Sequence, residues 1–285
     1  MTRVCVALSL LLAGCIDTSV EATTIDLHVG GSDATAPFEG RDGVMVTLER
    51  ADVAFGPLTL CAGVTAGALC DEALAEWRDA AVVDALDPTP VEVGTMDAIT
   101  GTTRSYMFDY GIVSRLTSDA PLVLPAAESL GDRSVVIEGR VDVDGQRVPF
   151  TIAMSVAQGP ETEQGVPVVR SNESDGFDHV IAPDGGSRLD VHLDPRAWLV
   201  TADYRSLVQD DMCAAGADLV CAGSVEQTCA EDGALIADRD CAAMGQVCLR
   251  GVGCAERAEI GPESQIGRSV RNGLTAGARP MFDFD

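Results

Sequence analysis

Lysine is absent: all 19 basic residues are arginine, set against 45 acidic ones, for a net charge of −26. Such an excess repels phosphate backbones and anionic headgroups, which sets aside nucleic-acid binding and a polybasic membrane surface. The missing lysine reflects GC-rich coding, and the acidic surplus reads as a well-solvated surface. Catalytic signatures are missing too. The chain has no Gly-x-Ser-x-Gly, His-Glu-x-x-His, Walker loop, Gly-x-Gly-x-x-Gly or Cys-x-x-Cys. Histidine is limited to His28, His179 and His192, so any triad base would be one of these three. A membrane-spanning helix needs roughly 20 apolar residues, and no stretch approaches that length without a charge, glycine or proline.

What is present begins with an export signal. Met1-Thr2-Arg3 and the apolar run Val4 to Leu12 form the n- and h-regions of a secretory signal. Leu12-Ala13-Gly14-Cys15 then supplies small residues directly before a cysteine, the pattern that lipoprotein signal peptidase requires. The expectation is a signal peptide over 1–14, lipidation at Cys15 and a tether over 15–24. Acyl chains contribute about 0.8 kcal/mol per buried methylene, so attachment needs no helix. Ile16 stands where an inner-membrane retention signal would place aspartate, which points to a lipid-anchored protein of the cell envelope at the outer membrane.

The cysteines fit that compartment. With Cys5 removed and Cys15 lipidated, Cys61, Cys70, Cys213, Cys221, Cys229, Cys241, Cys248 and Cys254 remain. An even set behind a signal reads as a disulfide framework. Structural zinc is the competitor, but the six-cysteine cluster holds neither a Cys-x2-Cys pair nor a histidine. Cys61 to Cys70 would close a short loop. The other six allow 15 connectivities.

Short alternating runs dominate from Ile25 onward: Ile25 to Val29, Val44 to Leu48, Val53 to Leu60, Arg104 to Tyr110, Val135 to Val143, Val148 to Val156, Phe177 to Ile181 and Leu189 to Leu193. Helical signals are confined to Asp71 to Ala80 and Ser264 to Thr275. Asp144-Gly145 is a two-residue hairpin turn. Counting outward from it puts Val141 opposite Val148, Gly139 opposite Phe150, Ile137 opposite Ile152 and Val135 opposite Met154, with charged residues on the other face. One dry face and one wet face predict an all-β fold: an antiparallel β-sandwich over 25–209 with a small disulfide-rich module over 213–254. The segment 264–285 is expected to return to the β domain.

Candidate chemistry is sparse. Phe177 to Ile181 and Leu189 to Leu193 flank Pro183-Asp184-Gly185-Gly186 and predict a hairpin placing His179, Asp190 and His192 on one face, a donor set for zinc or copper. Polar residues on the wet side of an edge hairpin are the plainer reading. Trp77 and Trp198 are read as core rather than sugar platforms, and His28 as a solvated strand residue. Asp142-Val143-Asp144-Gly145 lacks the twelve-residue spacing of an EF-hand. Asn172-Glu173-Ser174 fits a glycosylation sequon that carries little weight in a bacterial lipoprotein.

Gly43-Val44-Met45-Val46-Thr47-Leu48-Glu49-Arg50-Ala51, followed by Gly56-Pro57-Leu58, resembles the opening of the β domain in uncharacterised bacterial lipoproteins. The stretches Val220-Cys221-Ala222-Gly223-Ser224 and Gly245-Gln246-Val247-Cys248 are similar to short six-cysteine modules of secreted myxobacterial-type proteins. In layout the chain also resembles periplasmic copper-binding β-sandwich proteins, with none of their ligand residues matched. These resemblances imply no activity. The reading that follows is a non-enzymatic envelope lipoprotein, held to the membrane by its lipid and presenting the module to a protein or glycan, with no cofactor. Metal binding through the histidine hairpin is the alternative, and a carboxylate-pair glycosidase is a third reading.

Overall fold

The computed structural model describes residues 20–64, 70, 72–113, 122–156, 177–183, 185–208, 219–230, 234–277 and 279–285. The signal peptide, Cys15, the sequon and Cys213 lie outside these. In chain order the first strands are β1 (Ala22–Gly30), β2 (Phe38–Glu39), β3 (Met45–Phe55), β4 (Leu58–Cys61), β5 (Ala73–Trp77), β6 (Ala81–Asp84) and β7 (Val91–Ile99). Next come β8 (Gly101–Thr103), β9 (Ser105–Phe108), β10 (Ile112–Val113), β11 (Leu122–Val123), helix α1 (Pro125–Ser129), β12 (Val135–Val143), β13 (Gln146–Met154), β14 (His179–Ile181) and β15 (Ser187–His192). After α2 (Pro195–Leu199) follow β16 (Leu219–Ala222), β17 (Val225–Cys229), β18 (Leu235–Asp240), β19 (Val247–Leu249), β20 (Gly253–Ala255) and β21 (Ala258–Ile260). Helix α3 (Gln265–Asn272) and β22 (Met281–Phe284) complete the order.

Two sheets pack face to face. The larger runs β22-β15-β1-β7-β5-β4-β9, and the other runs β2-β3-β12-β13-β21 with β6 beside β3. Alternation dictates what each contributes. Ile25, Leu27 and Val29 of β1 and Leu189 and Val191 of β15 point inward from the first sheet, against Val46, Leu48, Val135, Ile137, Phe150 and Ile152 from the second. Aromatics fill the middle, with Phe55 5.6 Å from Phe108 and Phe108 meeting Tyr110 edge-on at 5.3 Å. Burying each such side chain contributes about 1.5–3 kcal/mol.

The β12–β13 hairpin has the register that the Asp144-Gly145 turn predicts, from Val143 opposite Gln146 out to Val135 opposite Met154. Both turn residues have positive φ, 48° and 79°, as a type I′ turn demands. Gly139 is fixed by close approach: a Cβ there would sit 2.4 Å from the Thr47 carbonyl oxygen and 3.0 Å from the Phe150 ring.

The structure corrects four sequence expectations. Where the sequence predicts a helix over Asp71 to Ala80, the described residues 72–80 contain a strand, β5, between β4 and β7, and no helix. Its Ala, Leu and Glu content favours a helix locally, but sheet pairing on both sides outweighs a propensity worth only tenths of a kcal/mol per residue. Val44 to Leu48 and the start of Val53 to Leu60 merge into one long strand, β3, which breaks from β4 at the cis Gly56–Pro57 bond. The sandwich is not purely antiparallel, since β1 pairs with β15 and β13 with β21 in parallel. And the hairpin expected around Asp184-Gly185 does not form: β14 pairs with β8, while β15 is held between β1 and β22.

Helices α2 and α3 close one end. Asp194 caps α2 by accepting from the Arg196 N–H, and Ser264 caps α3 by accepting from the Gly267 N–H. Trp198, Ile266, Val270 and Leu274 join the main core there, and the Tyr110 hydroxyl donates to the Leu274 carbonyl. After α3 the chain re-enters the large sheet as β22.

Candidate functional site

The three residues expected to share a metal do not meet. His179 stands opposite Thr103 in the β14–β8 pair, and its ring stacks on Phe284 with centroids 3.7 Å apart and planes 3° from parallel. Its Nε2 is buried with no hydrogen-bond partner, and desolvation holds the imidazole pKa below its ordinary value. Phe282 packs on Tyr106 and Phe284 on Phe177, so this side of β22 faces the core. Asp190, Asp283 and His192 alternate to the opposite side. Arg188 clasps Asp190 through Nε at 2.7 Å and Nη2 at 2.9 Å.

That outer side gains a residue the sequence did not place there. Parallel pairing sets His28 beside Asp190 and Gly30 beside His192, while β7 sets Glu92 beside His28. His192 Nε2 lies 3.9 Å from Asp283 Oδ2. Two imidazoles and three carboxylates thus share one exposed face, although no three of their ligand atoms fall within 4.8 Å of one another among the described residues. No local signal announces this pairing, because His28 and Asp190 are joined only by a long parallel crossover.

A separate concavity of about 490 Å³ lies at the far edge of the same sheet, over β4, β5 and β9. Pro57, Met107, Val113 and Leu122 make it mainly apolar, with the Glu76–Arg78 ion pair on its wall. Strands β1 and β7 separate it from β15, which carries His192. Trp77 and Trp198 are both buried, which removes them as sugar-stacking platforms.

The cysteine-rich segment is built differently. Its strands β16, β17 and β18 form a small sheet, and β19 and β20 form a hairpin. Cys221–Cys248 and Cys241–Cys254 cross between them, and Cys61–Cys70 closes the loop of the β domain. Cys229 is also disulfide-bonded. At the centre sits Glu226, its side chain only 8% exposed. Arg239 Nη2 donates to both carboxylate oxygens at 2.6 Å, and the Cys254 N–H donates at 2.7 Å. These partners hold the Glu226 pKa below the ordinary carboxylate value, Arg239 contributing most. Gly253 sits at φ 87°, a conformation that favours glycine, and a Cβ there would fall 2.1 Å from Glu226 Oε2. Glu226, Cys241 and Cys254 bring one carboxylate oxygen and two sulfurs within 4.8 Å of one another. Spacing had marked the cysteines, whereas nothing in the sequence singles out Glu226 from the other acids.

The module is fastened to the sandwich along one side. Leu249 enters the main core, the Arg250 N–H donates to the Leu207 carbonyl at 2.7 Å, and Gln146 Nε2 donates to the Gly223 carbonyl at 2.7 Å. Elsewhere in the module Met244 and Val252 are 49% and 63% exposed.

No protein-family model matches the chain, and no curated protein matches it. Among solved structures it is similar to MbnP from Methylosinus trichosporium, at 15% identity and a TM-score of 0.32, over 72% of this chain and 91% of that one. No site is transferred from a likeness of that size.

Proposed function

We propose that this chain is a lipid-anchored, non-enzymatic binding protein of the cell envelope, in which the sandwich is a rigid mount for the disulfide module and the module's outer surface takes a protein or glycan. The carrying observation is the asymmetry of the module. Leu249 and the bonds to Leu207 and Gln146 sink part of the module into the sandwich, while Met244 and Val252 are left facing solvent. Exposed apolar side chains on a covalently braced frame lose little entropy on binding, which suits a recognition surface. The outer-membrane placement rests on Cys15 and Ile16 of the sequence.

Two measurements test this reading. Mass spectrometry of the mature protein is expected to find a diacylglyceryl group on Cys15, and an unmodified Cys15 in the native host overturns the anchor. Envelope extract passed over the immobilised mature chain is expected to yield one stoichiometric protein or glycan. The Met244→Asp, Val252→Asp double variant is expected to lose it, and equal recovery by the variant overturns the docking surface.

The outer face of the large sheet supports a second reading, a site for zinc or copper(II). Here His28 and His192 supply the imidazoles and Asp283 the nearest carboxylate. Titration with either metal is expected to give one site weakened by His28→Ala or His192→Ala and unchanged by His179→Ala, which lies on the core side of β22. No affinity below about micromolar, or equal loss with His179→Ala, ends that reading.

A further inference from the structure

The donor group at the centre of the module is a disulfide with a carboxylate against it, and this juxtaposition has a chemical use that a structural staple does not need. We infer that reductive opening of Cys241–Cys254 converts this staple into a binding site for a borderline-soft divalent cation, with Cys241, Cys254 and Glu226 as ligands.

While the bond is intact the two sulfurs carry no charge and are poor ligands. Glu226 is then satisfied by Arg239 and the Cys254 N–H. A dithiol of the exchange class reaches the part-buried Cys254 in preference to the fully buried Cys241. One thiolate of the dithiol attacks Cys254 Sγ and expels Cys241 as thiolate. The second then displaces Cys254, so the dithiol leaves as a cyclic disulfide and both cysteines are reduced by two electrons and two protons in all. A divalent cation displaces the two thiol protons and meets two thiolates and one carboxylate.

Three features favour this outcome over simple collapse. The three ligand atoms already lie within 4.8 Å of one another. The Cys221–Cys248 bond spans the module independently and packs in the same small core. Glu226 lies in β17, the middle strand of the β16-β17-β18 sheet, so it is paired on both sides without help from Cys241 or Cys254. Two thiolates select against magnesium and calcium, and one carboxylate with a water completes the four-coordinate shell that zinc prefers. Without a cation, reduction would leave Glu226 beside two ionisable thiols, so cation binding and reduction reinforce each other.

The test uses the mature chain with cobalt(II) as a spectroscopic stand-in for zinc, in a Cys61→Ser, Cys70→Ser background, after phosphine reduction stopped where thiol labelling finds Cys241 and Cys254 opened and Cys221–Cys248 intact. The oxidised protein is expected to show no thiolate-to-cobalt charge-transfer band, and the reduced protein one equivalent of it. Glu226→Gln is expected to weaken binding about tenfold or more, the scale on which a ligand set responds to a lost partner. Cys241→Ser with Cys254→Ser is expected to abolish the band. A band that is indifferent to Glu226→Gln, or that survives the double serine variant, overturns the inference, because loose thiols of an opened module would behave in that way. X-ray absorption of the loaded wild type gives an answer independent of variant folding. Two sulfurs with oxygen neighbours support the site, and four sulfurs overturn it.

Discussion

The sandwich and the module reach a fixed shape by opposite means. The sandwich draws on dozens of apolar side chains in one continuous cluster, whereas the module's own core is little more than Cys221, Cys241 and Cys248 with Cys254 against them. Where apolar area is plentiful, covalent links add little; where it is missing, they replace it. Polar groups follow the same division. In the sandwich the charges stay mostly on the wet faces, with Asp109 a buried exception, while the module buries Glu226 and makes it an organising centre. The comparison predicts that damage to the first is global and damage to the second is local.

The largest effect is expected from Trp198→Ala. Trp198 is fully buried and meets Tyr110 edge-on at 6.4 Å. Its truncation is expected to cost roughly 3–5 kcal/mol. Denaturant unfolding should report the loss as a shifted midpoint of the whole β domain. A shift confined to part of the molecule would break the idea of one sandwich core.

Next in size is Cys241→Ser with Cys254→Ser. Closing the 13-residue separation restricts the unfolded chain by about 3 kcal/mol on the chain-entropy account. The loss is expected to stay in the module, so amide exchange should rise over 219–255 while protection of β1, β12 and β13 is unchanged. Equal loss of protection in both regions would show that the module is part of the sandwich's cooperative unit.

The same contrast explains what could be read in the sequence. The β12–β13 register was legible to the residue because a two-residue turn fixes it and alternation gives an independent check. Leu249 and Glu226 were not legible, since the first looks like any apolar residue in a poor module and the second like any acid in an acidic chain. The β5 strand misled because Ala, Leu and Glu favour a helix in isolation. The metal triad failed because a short gap between two apolar runs suggests a hairpin, while the actual partners of β14 and β15 lie far away in sequence. Local chemistry was readable; long-range pairing, which brought His28 to Asp190 and parted His179 from His192, was not.

Acid offers a third, smaller probe. Glu226 has its pKa depressed in the folded module, below its ordinary value of 4.5, by Arg239 and the Cys254 N–H. A depressed carboxylate contributes stability above the unfolded pKa and loses it as pH falls through the folded one. The module is therefore expected to loosen below about pH 4.5, and amide exchange over 219–255 should accelerate there first. Glu226→Gln should flatten that dependence. An unchanged acid profile in the variant would mean that some other carboxylate governs the module.

The smallest effect is expected from Arg50→Gln, and it sharpens the comparison most cleanly because its chemistry mirrors that of Glu226 and Arg239. Arg50 bonds to Asp52 and Glu138 across β3 and β12, so on a drawing it is as well partnered as the pair in the module. Its side chain is 47% exposed, however, and water competes for every one of those contacts. Surface pairs of this kind are worth about 0–1 kcal/mol, and salt screens them further. The substitution is expected to leave the unfolding midpoint within that range, with any difference shrinking as salt is added. A loss comparable to that of the double serine variant would show that charge pairs brace the sandwich as they do the module, and the division of labour between the two regions would fail.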